Sequence, residues 1–418
     1  MFDPLILVRS IHIAATVLAS GTVCFTALVV EPAPSAKTHA DFTELRRRMN
    51  LTVLSALAVA ILSGIGWLVL LAAEIFGVPI VEVCLHGGIW SVLTDTRFGL
   101  VWCARLALAL LLGLLLLWPA ARLLQLIAAA LLIALLALVG HPAATPGLAG
   151  RIHLASDMVH LLGAGAWLGG LPALALLLAK ARRANVSAWN KAARNATARF
   201  SLIGVVSVGA LLASGLITSW NVLAGPRDLI ATDFGQLVLV KIGLFTAMVS
   251  IAAVNRYHLS PRLPAAGAMR ALQRNSLAEI GLGICVLLFV GALGTLAPTA
   301  HVHRPSEIPP DAAFVHIHLA EIMAEVTIDP RRAGPAKVTI SVLREDFSVF
   351  AAKDVRLAID PPGAGLKTVE RSAVRRPDGT WVVDRLEIEQ PGIWTVRVIV
   401  TSEVGKQIVL DAPVVIDR

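Results

Sequence analysis

Three side chains between positions 153 and 160 have the types and spacing to hold a metal ion: His153, Asp157 and His160. Separations of four and three put them on one face of an α-helix, spread over about two turns or roughly 10 Å. Neutral imidazole is a common metal ligand, and a carboxylate close by can orient it through its other ring nitrogen. His12 stands in a separate apolar run, about two turns from its start and at a depth comparable with His160. His141, in Gly140-His141-Pro142, closes another such run, and His153 with Arg151 opens the one that carries His160. Imidazole together with the thioether of Met158 and the thiol of Cys24 suits copper. Arg105 and Lys241 fall at the same depth, and a cation beside Cu⁺ is unfavourable. Two histidines and two cations at one level equally suit haem b, with His12 and His160 as axial ligands and the cations neutralising its propionates. Both chemistries stay open on the residues alone. Histidines in apolar runs also act as hydrogen-bonding glue between helices.

Outside the apolar runs, His301-Val302-His303 and His316-Ile317-His318 are HxH pairs. On an extended chain, residues two apart point the same way, so each pair can chelate. His86, with Cys84 and Glu82, is a weaker candidate of the same kind. The four cysteines form no CxxC, and three lie in apolar runs as small hydrophobic residues. No Walker loop, GxSxG, HExxH or Rossmann glycine set occurs, so the expectation is a protein that is not an enzyme and has no nucleotide-driven pump of its own.

The elements that position these residues must lie in a bilayer. Apolar residues make up 56% of the 418-residue chain and charged ones only 15%, too few to cover a soluble protein of this length. The net charge of +8 sits in short clusters between apolar runs, which is the pattern of membrane topology and not of a nucleic-acid surface. Runs able to cross about 30 Å of hydrocarbon fall near 5–30, 49–73, 98–118, 122–140, 153–179, 200–223, 235–255 and 276–297. The first lacks a basic leader and a cleavage site and reads as a retained helix. Basic residues concentrate in alternate connections: Lys37 and Arg46–Arg48, Arg122, Lys180–Arg199, and Arg256–Arg274. The positive-inside rule puts these in the cytoplasm and both termini in the periplasm of a bacterial inner membrane.

The fold class expected is therefore an α-helical polytopic membrane protein of about eight transmembrane helices, built as two parallel four-helix repeats, followed by a C-terminal periplasmic β-sandwich. The repeat rests on matched intervals: His12 to Gly21 and His160 to Gly169, Arg48 to Ser63-Gly64 and Arg199 to Ser214-Gly215, Phe98-Gly99 to Arg105 and Phe234-Gly235 to Lys241. The halves run 1–149 and 150–298, a Pro- and His-containing linker 299–314, and the sandwich 315–418, where alternating stretches are separated by turns such as Pro377-Asp378-Gly379.

The stretch Asp157-Met158-Val159-His160 through Trp167-Leu168-Gly169-Gly170-Leu171 resembles the hallmark helix of the CopD copper-resistance family. So do Arg199-Phe200-Ser201, Ser214-Gly215-Leu216, Asp228-Leu229, Phe234-Gly235, Lys241 and Asn255-Arg256. The tail, with His316-Ile317-His318, Val326-Thr327-Ile328, Gly334-Pro335 and Gly392-Ile393-Trp394, is similar to the periplasmic domain of some CopD-type proteins. The resemblance implies copper transport or homeostasis at the inner membrane, from periplasm to cytoplasm, with a periplasmic copper carrier as partner. It points to His160, to His12 through the repeat, and to His141 and His153 at the outer entrance. With only six methionines and no MxxM run, the chain departs from a Met-rich copper protein, and the ligand role moves to histidine.

Overall fold

The computed structural model describes residues 3–30, 40–76, 79–85, 88–139, 147–184, 186–222, 227–294, 309, 311–319, 322–344, 349–361, 368–403 and 405–417. These form two compact units, Met1–Ala143 with Gly150–Val302, and Ala144–Ala149 with His303–Arg418. Eight helical stretches among the described residues are long and apolar enough to cross a membrane, matching the eight runs expected.

The helices are α1 (Pro4–Phe25), α2 (Ala40–Phe76), α3 (Ile80–Leu85), α4 (Gly88–Asp95), α5 (Arg97–Leu115) and α6 (Arg122–Ala134). They continue as α7 (Gly147–Leu168), α8 (Leu171–Ala184), α9 (Ser187–Val222), α10 (Asp228–Ala231), α11 (Asp233–Val254) and α12 (Ala266–Leu293). Local chemistry sets the starts. Asp3 caps α1, accepting from Leu5 N at 2.8 Å, with Pro4 in the first turn where its missing N–H is harmless. Thr96 and Thr232 cap α5 and α11 identically, each accepting from the amide of a glycine three residues on, Gly99 and Gly235, at 3.0 Å.

The fifth apolar run, expected as one helix, is two. Gly169 and Gly170 form a turn between α7 and α8. Pro172 cannot donate to the carbonyl one turn back and its ring crowds it, which favours a break there.

That break lies where α1 meets α7. A Cβ on Gly21 would fall 2.2 Å from the Gly169 carbonyl carbon, and one on Gly169 would fall 2.0 Å from Val17 O. The backbones touch at a contact only glycine permits, the small-residue packing that helices use in lipid, where the hydrophobic effect does not drive association. Nearby, Phe25 meets Phe200 edge-on with centroids 5.6 Å apart, and Phe42 stacks on Trp189 at 4.3 Å. Both pairs join a helix of the first half to one of the second. The two halves thus share one compact unit.

The C-terminal unit is a two-sheet antiparallel β domain. Its strands are β1 (Ala313–Leu319), β2 (Ile322–Asp329), β3 (Gly334–Arg344), β4 (Ala352–Asp360), β5 (Val369–Ser372), β6 (Val374–Arg375), β7 (Trp381–Ile388), β8 (Gly392–Ser402) and β9 (Gln407–Ile416). One sheet runs β1-β2-β3-β7-β6 and the other β5-β4-β8-β9. Alternating positions such as Val338, Ile340 and Val342 from one sheet and Val396, Val398 and Val400 from the other fill the core. Strand β1 starts at Ala313, two residues before the start expected for the sandwich.

Because neither backbone can yield, Gly169→Val should cost at least about 1–3 kcal/mol through overpacking. The thermal midpoint of purified Gly169→Val in detergent should fall well below wild type. An unchanged midpoint would contradict the close crossing.

Candidate metal site

His12 lies inside the first half, 6% exposed. Its Nδ1 sits 2.8 Å from the Ala60 carbonyl oxygen of α2, which can only accept, so Nδ1 carries the proton and Nε2 the lone pair. That lone pair is occupied. Arg105 of α5 donates Nη2–H to His12 Nε2 at 2.7 Å, and also donates to Thr16 Oγ1 at 3.2 Å and to Leu132 O at 2.5 Å. Trp67 stands edge-on to the imidazole at 5.6 Å, and a Cβ on Gly64 would fall 3.2 Å from its Cε1. The surrounding cavity is about 20 Å³, room for a single water-sized particle. Among the described residues Arg105 has no carboxylate partner, so this pocket carries a buried positive charge held by neutral acceptors.

His160 has the same scaffold with a different outcome. Its Nδ1 lies 3.0 Å from Ser214 Oγ on α9. Ser214 has one proton, given to Ala210 O at 2.6 Å, so the hydroxyl accepts from His160 Nδ1–H. His160 Nε2 therefore holds a lone pair that no described side chain takes up. Gly215 lies beside the ring, where a Cβ would be 3.8 Å from Cε1. Lys241 of α11 lies within electrostatic range of both Asp157 and His160. His153, two turns earlier on α7, is 2% exposed.

The two sites correspond in parts: His12, Ser63, Gly64 and Arg105 against His160, Ser214, Gly215 and Lys241. Ser63 lies 3.4 Å from His12 Nδ1 and donates to Val59 O at 2.6 Å, as Ser214 does to Ala210 O. The serines were visible in the sequence as matched Ser-Gly pairs; that they hold imidazoles was not.

His12 and His160 share no hydrogen bond or ring contact among the described residues, and each bonds to helices of its own half. Arg105 takes up the His12 Nε2 lone pair that either a copper ion or haem b would draw on. No group of three or more His, Cys, Asp or Glu able to hold a metal occurs among the described residues. Cys24 is a free, partly buried thiol, and Cys84 is free and exposed.

In the tail, His316 Nδ1 lies 3.4 Å from Glu325 Oε1, a cross-strand pair set by the β1–β2 register, which also aligns the His318 backbone with Met323. Glu325 and Met323 were not singled out from the sequence. His86, His141, His301 and His303, and the side chain of His318, lie outside the described residues.

Comparison with known proteins bears on this arrangement. Residues 1–151 match the family described as copper resistance protein D-like, N-terminal domain, and residues 194–293 match copper resistance protein D. Copper resistance protein D of Pseudomonas syringae pv. tomato is 31% identical over 49% of this chain and 70% of its own length. Inner membrane protein YebZ of Escherichia coli strain K12 is 36% identical over 50% of this chain and 72% of its own. The chain belongs to the CopD family. Copper transport protein CutJ of Bacillus subtilis strain 168 is 27% identical over 58% of this chain but only 43% of its own length. No solved structure matches the chain. The CopD matches contain His12, Ser63 and Arg105 in one part and Ser214 and Lys241 in the other, while His160 lies between them and the β domain beyond residue 293 lies outside both.

The hydrogen bonds assign the Nδ1–H tautomer to both His12 and His160. Nitrogen NMR of histidine-labelled protein should find both rings in that form, with the His12 Nε2 signal moved in Arg105→Met and the His160 signals unmoved. An Nε2–H ring at either position would contradict the assignment.

Proposed function

We propose that this CopD-family protein binds copper at His160 Nε2 and carries it across the bacterial inner membrane. The observation that carries this reading is the contrast between the two imidazoles. At His12 the lone pair is taken by a guanidinium and the pocket is cationic; at His160 it is open, and Asp157 offsets Lys241. A copper cation brought to about 4 Å from an uncompensated charge pays roughly 4 kcal/mol at an effective dielectric constant of 20. Seating it beside a balanced pair avoids most of that. Ser214, by fixing the tautomer, plays the part that outer-sphere partners play at metal histidines.

On this reading the family's two halves arose by a parallel duplication and diverged: one kept a ligand, and in the other the same scaffold became a lock joining α1, α2, α5 and α6. His153 and His141, the two histidines assigned to the outer entrance, receive the ion. The tail, placed in the periplasm with both chain termini, captures it with His316 and His318, joined by Glu325, and by His301 and His303 in the linker, from a periplasmic copper carrier protein. The names of the relatives, copper resistance protein D, copper transport protein CutJ and an inner membrane protein, support copper handling at the inner membrane.

Metal analysis of purified variants tests the assignment. His160→Ala should lose one equivalent of copper per chain and the copper-dependent growth or accumulation phenotype, with membrane insertion intact. Ser214→Ala should keep the stoichiometry but weaken affinity about 10–100-fold. His12→Ala should keep the copper while lowering the thermal midpoint. Full copper binding by His160→Ala would sink the reading, and a Soret band in the wild-type spectrum would replace it with haem.

A further inference from the structure

A second polar site lies in the same half, at the other end of the bundle. Asn255 is 14 residues beyond Lys241, about 21 Å further along the helix at 1.5 Å per residue. There, residues of α8, α9, α11 and α12 line a cavity of about 220 Å³. Three polar atoms on its walls are buried without a hydrogen-bond partner: Glu279 Oε1, Ser276 Oγ and Thr197 Oγ1. Their residues are 1%, 1% and 4% exposed. The other Glu279 oxygen accepts from Asn255 Nδ2 at 3.0 Å, and Asn255 Oδ1 in turn accepts from Asn275 at 2.8 Å. The carboxyl has one anchored oxygen and one buried without a partner beside a cavity with room for water.

We propose that Glu279 is a proton-binding site reached by water through this cavity, and that its loading and release accompany the passage of copper; the second clause rests on the copper reading above. The step is simple: a water-borne proton adds to the carboxylate at Oε1, and the same O–H bond breaks on release. The donor set fits a proton better than a metal ion. One carboxylate, amides and hydroxyls make a poor copper site. Serine and threonine hydroxyls both donate and accept, so Ser276 and Thr197, which do not bond Glu279 directly, can each hold a water beside the carboxyl in either protonation state. The ionisable groups around the cavity are few. Arg256 donates to Ser201 Oγ at 2.7 Å and lies 5.8 Å from the Tyr257 ring, and both face the cavity from the end of α11. α8 and α9 contribute no ionisable side chain to its wall. On α1, Arg9 binds Gly294 O, 15 residues or about 22 Å along α12 from Glu279. Arg270 and Arg274 on α12 are exposed. The first half has no counterpart: Pro119 stands 14 residues beyond Arg105, and α6 carries no carboxylate. The site therefore belongs to the half that holds His160.

Dicyclohexylcarbodiimide, which attacks protonated carboxyls in apolar surroundings, reads the site directly in full-length protein in lipid vesicles. Peptide mapping should find Glu279 modified, with a yield that falls several-fold as pH rises and that persists in His160→Ala, so failure of the copper reading would not hide it. No modification of Glu279, or a yield indifferent to pH, would overturn the site. Glu279→Gln should bind copper as wild type does while losing the dependence of copper uptake on an imposed pH gradient. Uptake by Glu279→Gln that still follows the gradient would overturn the coupling.

Discussion

The hydrogen bond from Arg105 to His12 Nε2, 2.7 Å long, decides how the rest of the molecule divides its work. A guanidinium inside hydrocarbon must find acceptors, because no water is there to supply them. Arg105 finds three, and one is the only lone pair that His12 could give a metal. The imidazole thereby ties α1 to α2 through Ala60 and to α5 through Arg105, which reaches α6 at Leu132. In the second half a lysine stands at the matching position. Its longer, unforked stem and single ammonium do not reproduce the planar donor fork, and Asp157 shares its field. His12 thus gives its lone pair to a guanidinium, while no described side chain takes that of His160.

The glycine crossing of α1 and α7 sets where these two sites stand. Gly21 and Gly169 each follow a histidine by nine residues, about 14 Å along a helix. Their contact therefore fixes both imidazoles at one depth, each facing the helices of its own half. A bundle in lipid gains little from burying leucine against leucine. Backbone contact, aromatic pairs such as Phe42 with Trp189, and the internal hydrogen bonds of Ser20 to Ala129 O and Ser156 to Ser214 O supply the specificity instead.

Much of this was legible beforehand. Eight apolar runs and their approximate ends follow from hydrocarbon thickness, a one-dimensional constraint that sequence records directly. The alternation of Trp381–Ile388 and Trp394–Val400 likewise reports a sheet face. The break at Gly169-Gly170 was passed over because hydropathy does not see backbone geometry, though Pro172 was a signal. What His12 binds was not legible: Arg105 is 93 residues away, and its choice of imidazole over carboxylate depends on how α5 faces α1. Glu279 was missed for a plainer reason. It sits near the start of a span beside Arg270 and Arg274 and reads as an interfacial charge, whereas the fold buries it against Asn255.

The most direct test of the account is X-ray absorption at the copper edge on metal-loaded protein. Copper bound per chain, with its imidazole scattering, should be unchanged in His12→Ala and should fall by one imidazole-bound equivalent in His160→Ala. An undiminished imidazole-bound equivalent in His160→Ala, with its loss in His12→Ala, would contradict it.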